Sequence, residues 1–237
     1  MRGGPGTTDP ERMTWSGATL QALLISAYGV KTDQILGPGW IESERYDIEA
    51  KVPPGSTRPQ FILMLQNLLA DRFKVTLHKD TKEFSVYELT VAKDGPKLKP
   101  SPIDPDYKPL AEGTPLRNNA DEDGFPILLP GQRDAERFGN GVVHSTFRMS
   151  TMSDFVTDLE SLINLANGDS PLSPVHVVDR TGLTGQCRPA QGAADPGSSA
   201  PSLFTALEKQ LGLKLEHSKQ PLDVIVIDHV EKTPTDN

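Results

Sequence analysis

RPQFILMLQNLLADRFKVTLHKDTKEFSVYELTV, residues 58–91, is the stretch on which the fold reading turns. Phe61, Met64, Leu65, Leu68 and Leu69 recur at the spacing of one helix face, and Asn67 and Asp71 fall on the opposite face. Ser56 or Thr57 is placed to cap that helix, and Pro59 lies in its first turn, where a missing N–H costs little. Beyond the helix, Val75 and Leu77, then Phe84, Val86, Leu89 and Val91, predict two strands, with the charged DTKE at 80–83 as the turn between them.

A second stretch, SLFTALEKQLGLKLEHSKQPLDVIVIDHV at 202–230, repeats that order. Leu203, Phe204, Leu207 and Leu211 predict a helix, and LKLEHSKQP and LDVIVIDHV predict two strands. The pieces preceding each stretch correspond as well. In the first half, residues 13–16 are a strand candidate, and Thr19 opens a helix carrying Leu20, Leu23, Leu24 and Ala27 that Gly29 ends. GPGW at 37–40 is a turn, and RYDIEAKVP from residue 45 alternates Tyr46, Ile48 and Ala50 with Asp47, Glu49 and Lys51. In the second half, residues 138–150 predict a hairpin turning at Gly139-Asn140-Gly141, with 144–149 as a strand. Ser150, Thr151 or Ser153 caps a helix with Phe155, Leu159, Leu162 and Ile163, and PVHVVDRTGLTG supplies a strand and a turn. RPAQGAADPGSSAP at 188–201 reads as loop.

These patterns predict an α+β fold built from two copies of a strand-helix-strand-strand-helix-strand-strand unit. Its sheets are mixed or antiparallel, with helices on one face. The expected division is a flexible lead-in at 1–11, a first repeat at 12–99, a Pro/Gly-rich loop or linker at 100–141, a second repeat at 142–231 and a frayed tail at 232–237. Within the linker, FPILLPG at 125–131 is an apolar island expected to pin the loop to the body.

The 237 residues are enough for one large domain or two small ones. A net charge of −8, with no basic patch, argues against nucleic acid and anionic membrane surfaces as partners, since attraction to phosphate needs clustered cations. No apolar run approaches the roughly 20 residues of a membrane helix. The N-terminal MRGGPGTTDPERMTW has no apolar core, so it is not itself a secretory signal; either the protein is cytoplasmic or a leader precedes this sequence. Cys187 is the only cysteine, which excludes an intramolecular disulfide and a cysteine-only metal site; it reads as an incidental thiol in a loop.

Catalytic patterns are few. There is no G-x-S-x-G elbow and no P-loop, and the five histidines never form H-x-x-x-H, so neither a metal nor a cofactor is signalled. His78 and His217 occupy equivalent places after the two strand cores, which favours a structural role for both. His144, Asp228 and His229 are the candidates for proton transfer, set against the plainer reading of polar strand positions. The acidic pairs Glu42 with Glu44 and Asp121 with Asp123, and also Asp47, are of the type that cleaves glycosides, although an acidic chain supplies such pairs by chance. Trp15, Trp40, Tyr28 and Tyr46 all fall near turns of the first repeat; core anchoring competes there with a sugar- or peptide-binding face, for which Trp15, Trp40 and Tyr46 are the ligand candidates.

MTWSGATLQALLISAYGV, GPGWIESERYDIEAKVPPG, the 61–98 block, VVDRTGLTG and the 202–235 block together resemble a soil-associated family of uncharacterised proteins expanded in acidobacteria. That family is a domain of unknown function, sometimes joined to membrane metallopeptidases of the antibiotic-sensor type. The resemblance covers nearly the whole chain outside 101–143. It implies an extracytoplasmic, periplasmic or secreted protein and carries over no catalytic residue. Two departures stand out: the family's leader and first strand are missing here, and QCRPAQGAADPGSS replaces a strand rich in Tyr, Asp and Phe. Either implies an open sheet edge, which a homodimer would cover. The small units also faintly resemble the N-terminal repeats of secretins and TonB receptors. The resulting expectation is a non-catalytic binding or assembly module with a protein or cell-envelope partner. The alternative is a small ester or glycoside hydrolase with a His/carboxylate site between the repeats.

Overall fold

Capping residues and apolar stripes set the elements of the computed structural model, which describes residues 2–101, 108, 119–122, 124–139, 142–167, 174–184, 186–189 and 202–235. Strand β1 (Arg2–Gly3) folds back on β2 (Arg12–Thr19), pairing Arg2 with Thr14 and Gly3 with Met13. Arg2 and Gly3 of the expected lead-in are therefore paired in a sheet. Gly3 makes this possible: its φ is +81°, and a Cβ there would lie 1.9 Å from the Arg12 carbonyl oxygen. Helix α1 (Leu20–Tyr28) starts at Thr19, whose Oγ1 accepts the Ala22 N–H, and ends at left-handed Gly29. It buries Leu20, Leu23, Leu24 and Ala27, the four residues of its stripe. After β3 (Ile35–Leu36), β4 (Arg45–Lys51) alternates half-buried and exposed residues and pairs antiparallel with β2. The register shifts between Trp15 and Ala18, where Gly17 donates its N–H to Asp47 and accepts from Arg45.

Helix α2 (Arg58–Phe73) opens with a capping box in which Thr57 and Gln60 satisfy each other's backbone N–H. Leu65, Leu69 and Phe73 are its buried residues. Strand β5 follows as one unbroken run, Thr76–Val91. The turn expected at 80–83 does not exist. DTKE contains none of the glycine or asparagine that tight hairpins need, and none of its residues has a positive φ.

In the second half, β6 (Leu98–Pro100) is followed by the antiparallel hairpin of β7 (Asp134–Gly139) and β8 (Val142–Phe147), whose last pair, Gly139 with Val142, adjoins the expected Asn140-Gly141 turn. Residues 140–141 themselves lie outside the described residues. Strand β9 (Ser150–Thr151) leads into helix α3 (Met152–Asn167), where Thr151 and Asp154 cap each other and Met152, Phe155, Leu159 and Ile163 are buried. Strand β10 (Val177–Asp179) comes next. Strand β11 (Gln186–Pro189) then pairs with both β6 and β9, so Cys187 and the start of the presumed loop at 188 are strand. A short helix α4 (Leu203–Ala206) continues as a π turn, Leu207–Leu211, that left-handed Gly212 stops. Strand β12 (Leu213–His229) is again continuous where two strands were expected.

The result is α+β, as the patterns predict, with a mixed central sheet of order β10-β5-β12-β3 in which β10 runs parallel to β5 and β3 parallel to β12. The chain divides into two compact units, Met1–Glu83 with Pro221–Asn237, and Phe84–Gln220. They cut across the expected 12–99 and 142–231 because β5 and β12 each change unit part-way along. In the first unit, α1 and α2 pack on each other, and their leucines share a core with Ala18, Ile35, Ile41, Val75 and Ile225. The tail is tied to this unit rather than frayed: Thr235 donates to the carbonyls of Arg72 and Asp71. In the second, Leu89, Val177, Leu213 and Leu215 meet Phe155, Leu159 and Ile163 of α3 and Leu207. No helix among the described residues is long and apolar enough to cross a membrane.

Leu65 is 3% exposed, so Leu65→Ala should lower stability by roughly 2–5 kcal/mol, read as a drop in the thermal midpoint. Helix α2 ends at Lys74, which holds φ +52° where α1 and the π turn use Gly29 and Gly212. Lys74→Gly should therefore raise stability by about 1 kcal/mol in a denaturant titration. Gly212→Ala should destabilise well beyond Gly29→Ala. Both need a positive φ, for a cost of about 1 kcal/mol, but only at Gly212 would the Cβ lie 2.1 Å from a backbone oxygen, that of Gly95.

Candidate functional site

Within the first unit, the three aromatic candidates serve the core. Trp15, Trp40 and Tyr46 are each half-buried against the α1–α2 cluster. The Tyr46 ring stands edge-on to Phe73 at 4.9 Å, and its hydroxyl donates to the Lys232 carbonyl at 2.8 Å. Burial and the nearby Glu44 push the Tyr46 phenol above its ordinary pKa, against a smaller opposing pull from Lys232. A neutral phenol that donates to a carbonyl is a structural tie. Burial likewise pushes the Tyr28 phenol up.

Asp228 and His229 are neighbours on β12, so the two-residue period of a strand sends their side chains to opposite faces. Asp228 Oδ1 lies 2.8 Å from His78 Nδ1 and accepts from it in the tautomer that carries the proton there, with both side chains about half exposed. His229 lies 3.7 Å from Glu231. Asp228 and His229 therefore do not join in one constellation; the partner that Asp228 does find is His78.

The remaining candidate, His144, belongs to the second unit. It lies opposite Arg137 in the β7–β8 hairpin, and its ring meets Phe125 edge-on at 4.8 Å beside Gly124. Phe125 is the first residue of the apolar island, whose Leu129 carbonyl is also held by Arg148. His217 packs against Tyr87 at 4.3 Å, and Phe204 lies 5.9 Å from the same tyrosine. The acidic pairs singled out from the sequence are engaged in ties of their own. Glu42 accepts from Gln21, Glu44 pairs with Lys232 at 2.5 Å, and Asp47 and Asp121 accept backbone N–H groups. Asp123 and the side chain of Cys187 lie outside what is described. Among the described residues, no group of three or more His, Cys, Asp or Glu side chains is arranged to hold a metal ion.

The first unit also carries an open groove of about 400 Å³ lined by Pro53, Pro54, Gly55, Ser56, Gln60, Leu63 and Met64. Its walls are fixed by short-range bonding. Ser56 Oγ donates to the Pro53 carbonyl at 2.6 Å, and Gln60 Oε1 accepts from the Thr57 backbone at 2.8 Å. Leu63, on α2 but off its buried face, is 58% exposed. Among the described residues, no titratable side chain lines the groove. Sequence reasoning treated 53–60 as a helix start only. The available signal was Leu63 itself, an apolar residue outside the i, i+3, i+4 stripe of its own helix.

No curated protein and no solved structure matches the chain. A family model described as protein of unknown function (DUF3738) matches residues 21–230, spanning both units from α1 to the end of β12. The chain belongs to this family of unknown function, DUF3738.

Proposed function

We propose that the protein is a non-catalytic binding module that takes an apolar side chain of a polypeptide partner into the Pro53–Met64 groove. The observation that carries this reading is the lining itself: two prolines, a glycine, an exposed leucine and a methionine, with Ser56 and Gln60 as the only polar members. Proline fixes φ, so this wall is formed before a ligand arrives and little conformational freedom is lost on binding. Met64 supplies a polarisable, adaptable surface and Leu63 an apolar one already facing water. A lining without an acid or a base to activate the Ser56 hydroxyl suits recognition. By resemblance to exported relatives, the setting is extracytoplasmic and the partner a component of the cell envelope. A second copy of the chain is the homodimeric form of the same reading.

Leu63→Asp should leave the thermal midpoint almost unchanged, since the side chain is exposed, and should weaken capture of the partner by tenfold or more, as loss of an interface anchor worth more than about 1.4 kcal/mol does. A photo-crosslinker at position 56 in the full chain, exposed to native envelope extract, reads this out. The same proteins recovered by wild type and Leu63→Asp, or none recovered by wild type, would count against the groove as the working surface.

A further inference from the structure

We propose that the β7–β8 hairpin is an acid-tightened clasp on helix α3, held less firmly at neutral pH by carboxylates that face one another across the contact.

The geometry follows from register. Asp134 is paired with Phe147 and Glu136 with Ser145, and directly opposed residues share a face, so Asp134, Glu136, Ser145 and Phe147 lie on one side of the hairpin. That side meets α3, because the Phe147 ring packs on Phe155 at 5.4 Å. On α3, Asp154 and Asp158 are four residues apart and flank Phe155, so they present their carboxylates to the same contact. Among the described residues, four carboxylates thus meet one cation there, Arg133, whose guanidinium lies 3.5 Å from Asp154. Arg148, the other nearby cation, is committed to carbonyls: Nε to Gln132 and Nη2 to Leu129. The remaining charges point elsewhere. Arg137 and His144 sit on the opposite face of the hairpin, and Glu160 of α3 accepts the Val177 N–H of β10.

The electrostatics agree with this placement. Although the residue as a whole is exposed, partial burial of its carboxyl, then Asp158 and Asp134, raise the pKa of Glu136, against a hydrogen bond from Ser145 that lowers it. The surroundings, then Asp134 and Asp154, raise that of Asp158, against Arg133. Asp154 goes the other way, lowered first by the Thr151 backbone N–H. An acid whose pKa is raised in the docked form is destabilising while ionised, so docking strengthens as pH falls through the raised value and levels off below the ordinary one. Asp154 contributes stability that is lost only below the ordinary carboxylate range. Between neutrality and that range, Glu136 and Asp158 set the sign, and acid tightens the clasp.

A two-stranded hairpin has little stability of its own, so its attachment controls its opening. Amide hydrogen exchange of the full chain, corrected for the intrinsic effect of pH, should show severalfold stronger protection of residues 134–147 at pH 5 than at pH 7.5. Glu136→Gln and Asp158→Asn should each raise protection at pH 7.5 and together flatten the dependence, whereas Asp94→Asn, remote from the contact in sequence and exposed, should leave it unchanged. Glu136 is an exposed strand residue whose replacement does not threaten folding, so that variant stands alone if Asp158→Asn unfolds. An undiminished pH dependence in Glu136→Gln, protection that falls on acidification, or flattening by Asp94→Asn would overturn the proposal.

Discussion

The continuity of β5 and β12 is the constraint on which the rest of the structure depends. Each strand runs for 16 or 17 residues without a break, and the two are neighbours in the central sheet. In the second unit, Tyr87 meets His217 and Thr90 meets the Lys214 carbonyl, so partner numbers fall along one strand as they rise along the other, and the pair is antiparallel. Each compact unit takes one part of each strand. In the first unit the closing part of β12 carries Ile225 and Ile227 into the α1–α2 core and is edged by parallel β3. In the second, the closing part of β5 carries Leu89 into the α3 core and is edged by parallel β10. A helix precedes the opening part in both, α2 before β5 and the α4 turn before β12.

Where apolar spacing and capping chemistry coincide, the sequence was legible. Thr19, the stripe of Leu20, Leu23, Leu24 and Ala27, and Gly29 each point to the same nine-residue helix, and all act in it. Tyr46, Ile48 and Ala50 alternate as a half-buried strand does. The middle of β5 carried no such signal, because residues 78–83 are all exposed and polar, and a strand wet on both faces has the composition of a turn. What distinguishes the two is the absence of the glycine or asparagine that a tight hairpin turn favours, and that test favours the strand. Residues 216–221 in β12 are likewise polar apart from Pro221 and none is buried, and Pro221 adds a break in the pattern without breaking the strand.

Of the candidate sites, residue types were easier to read than their grouping. Asp228 does find a histidine, but that histidine is His78, 150 positions away, and no spacing rule joins the two. His144 and Asp228 fall in different units. The influence of Asp158 on the Glu136 carboxyl escaped notice because one residue is on a helix and the other on a strand; the hairpin register and the Phe147–Phe155 contact bring them together. The aromatic residues look like a binding face in sequence because tryptophan and tyrosine near turns suit both ligand contact and core anchoring. Tyr46, with its ring on Phe73 and its hydroxyl on a backbone carbonyl, is an anchor.

The division of the first unit between the two ends of the chain has a kinetic consequence. During synthesis, α1 and α2 leave the ribosome long before Ile225, Ile227 and Val230, the β12 and tail residues that cover part of their leucine cluster. The whole second unit is made in the interval, and because it is a single continuous segment it can close first. Until the last strand arrives, the N-terminal helices must wait with an apolar surface only partly covered. That interval, rather than any property of the finished molecule, is when this chain is most exposed to aggregation and most in need of a chaperone.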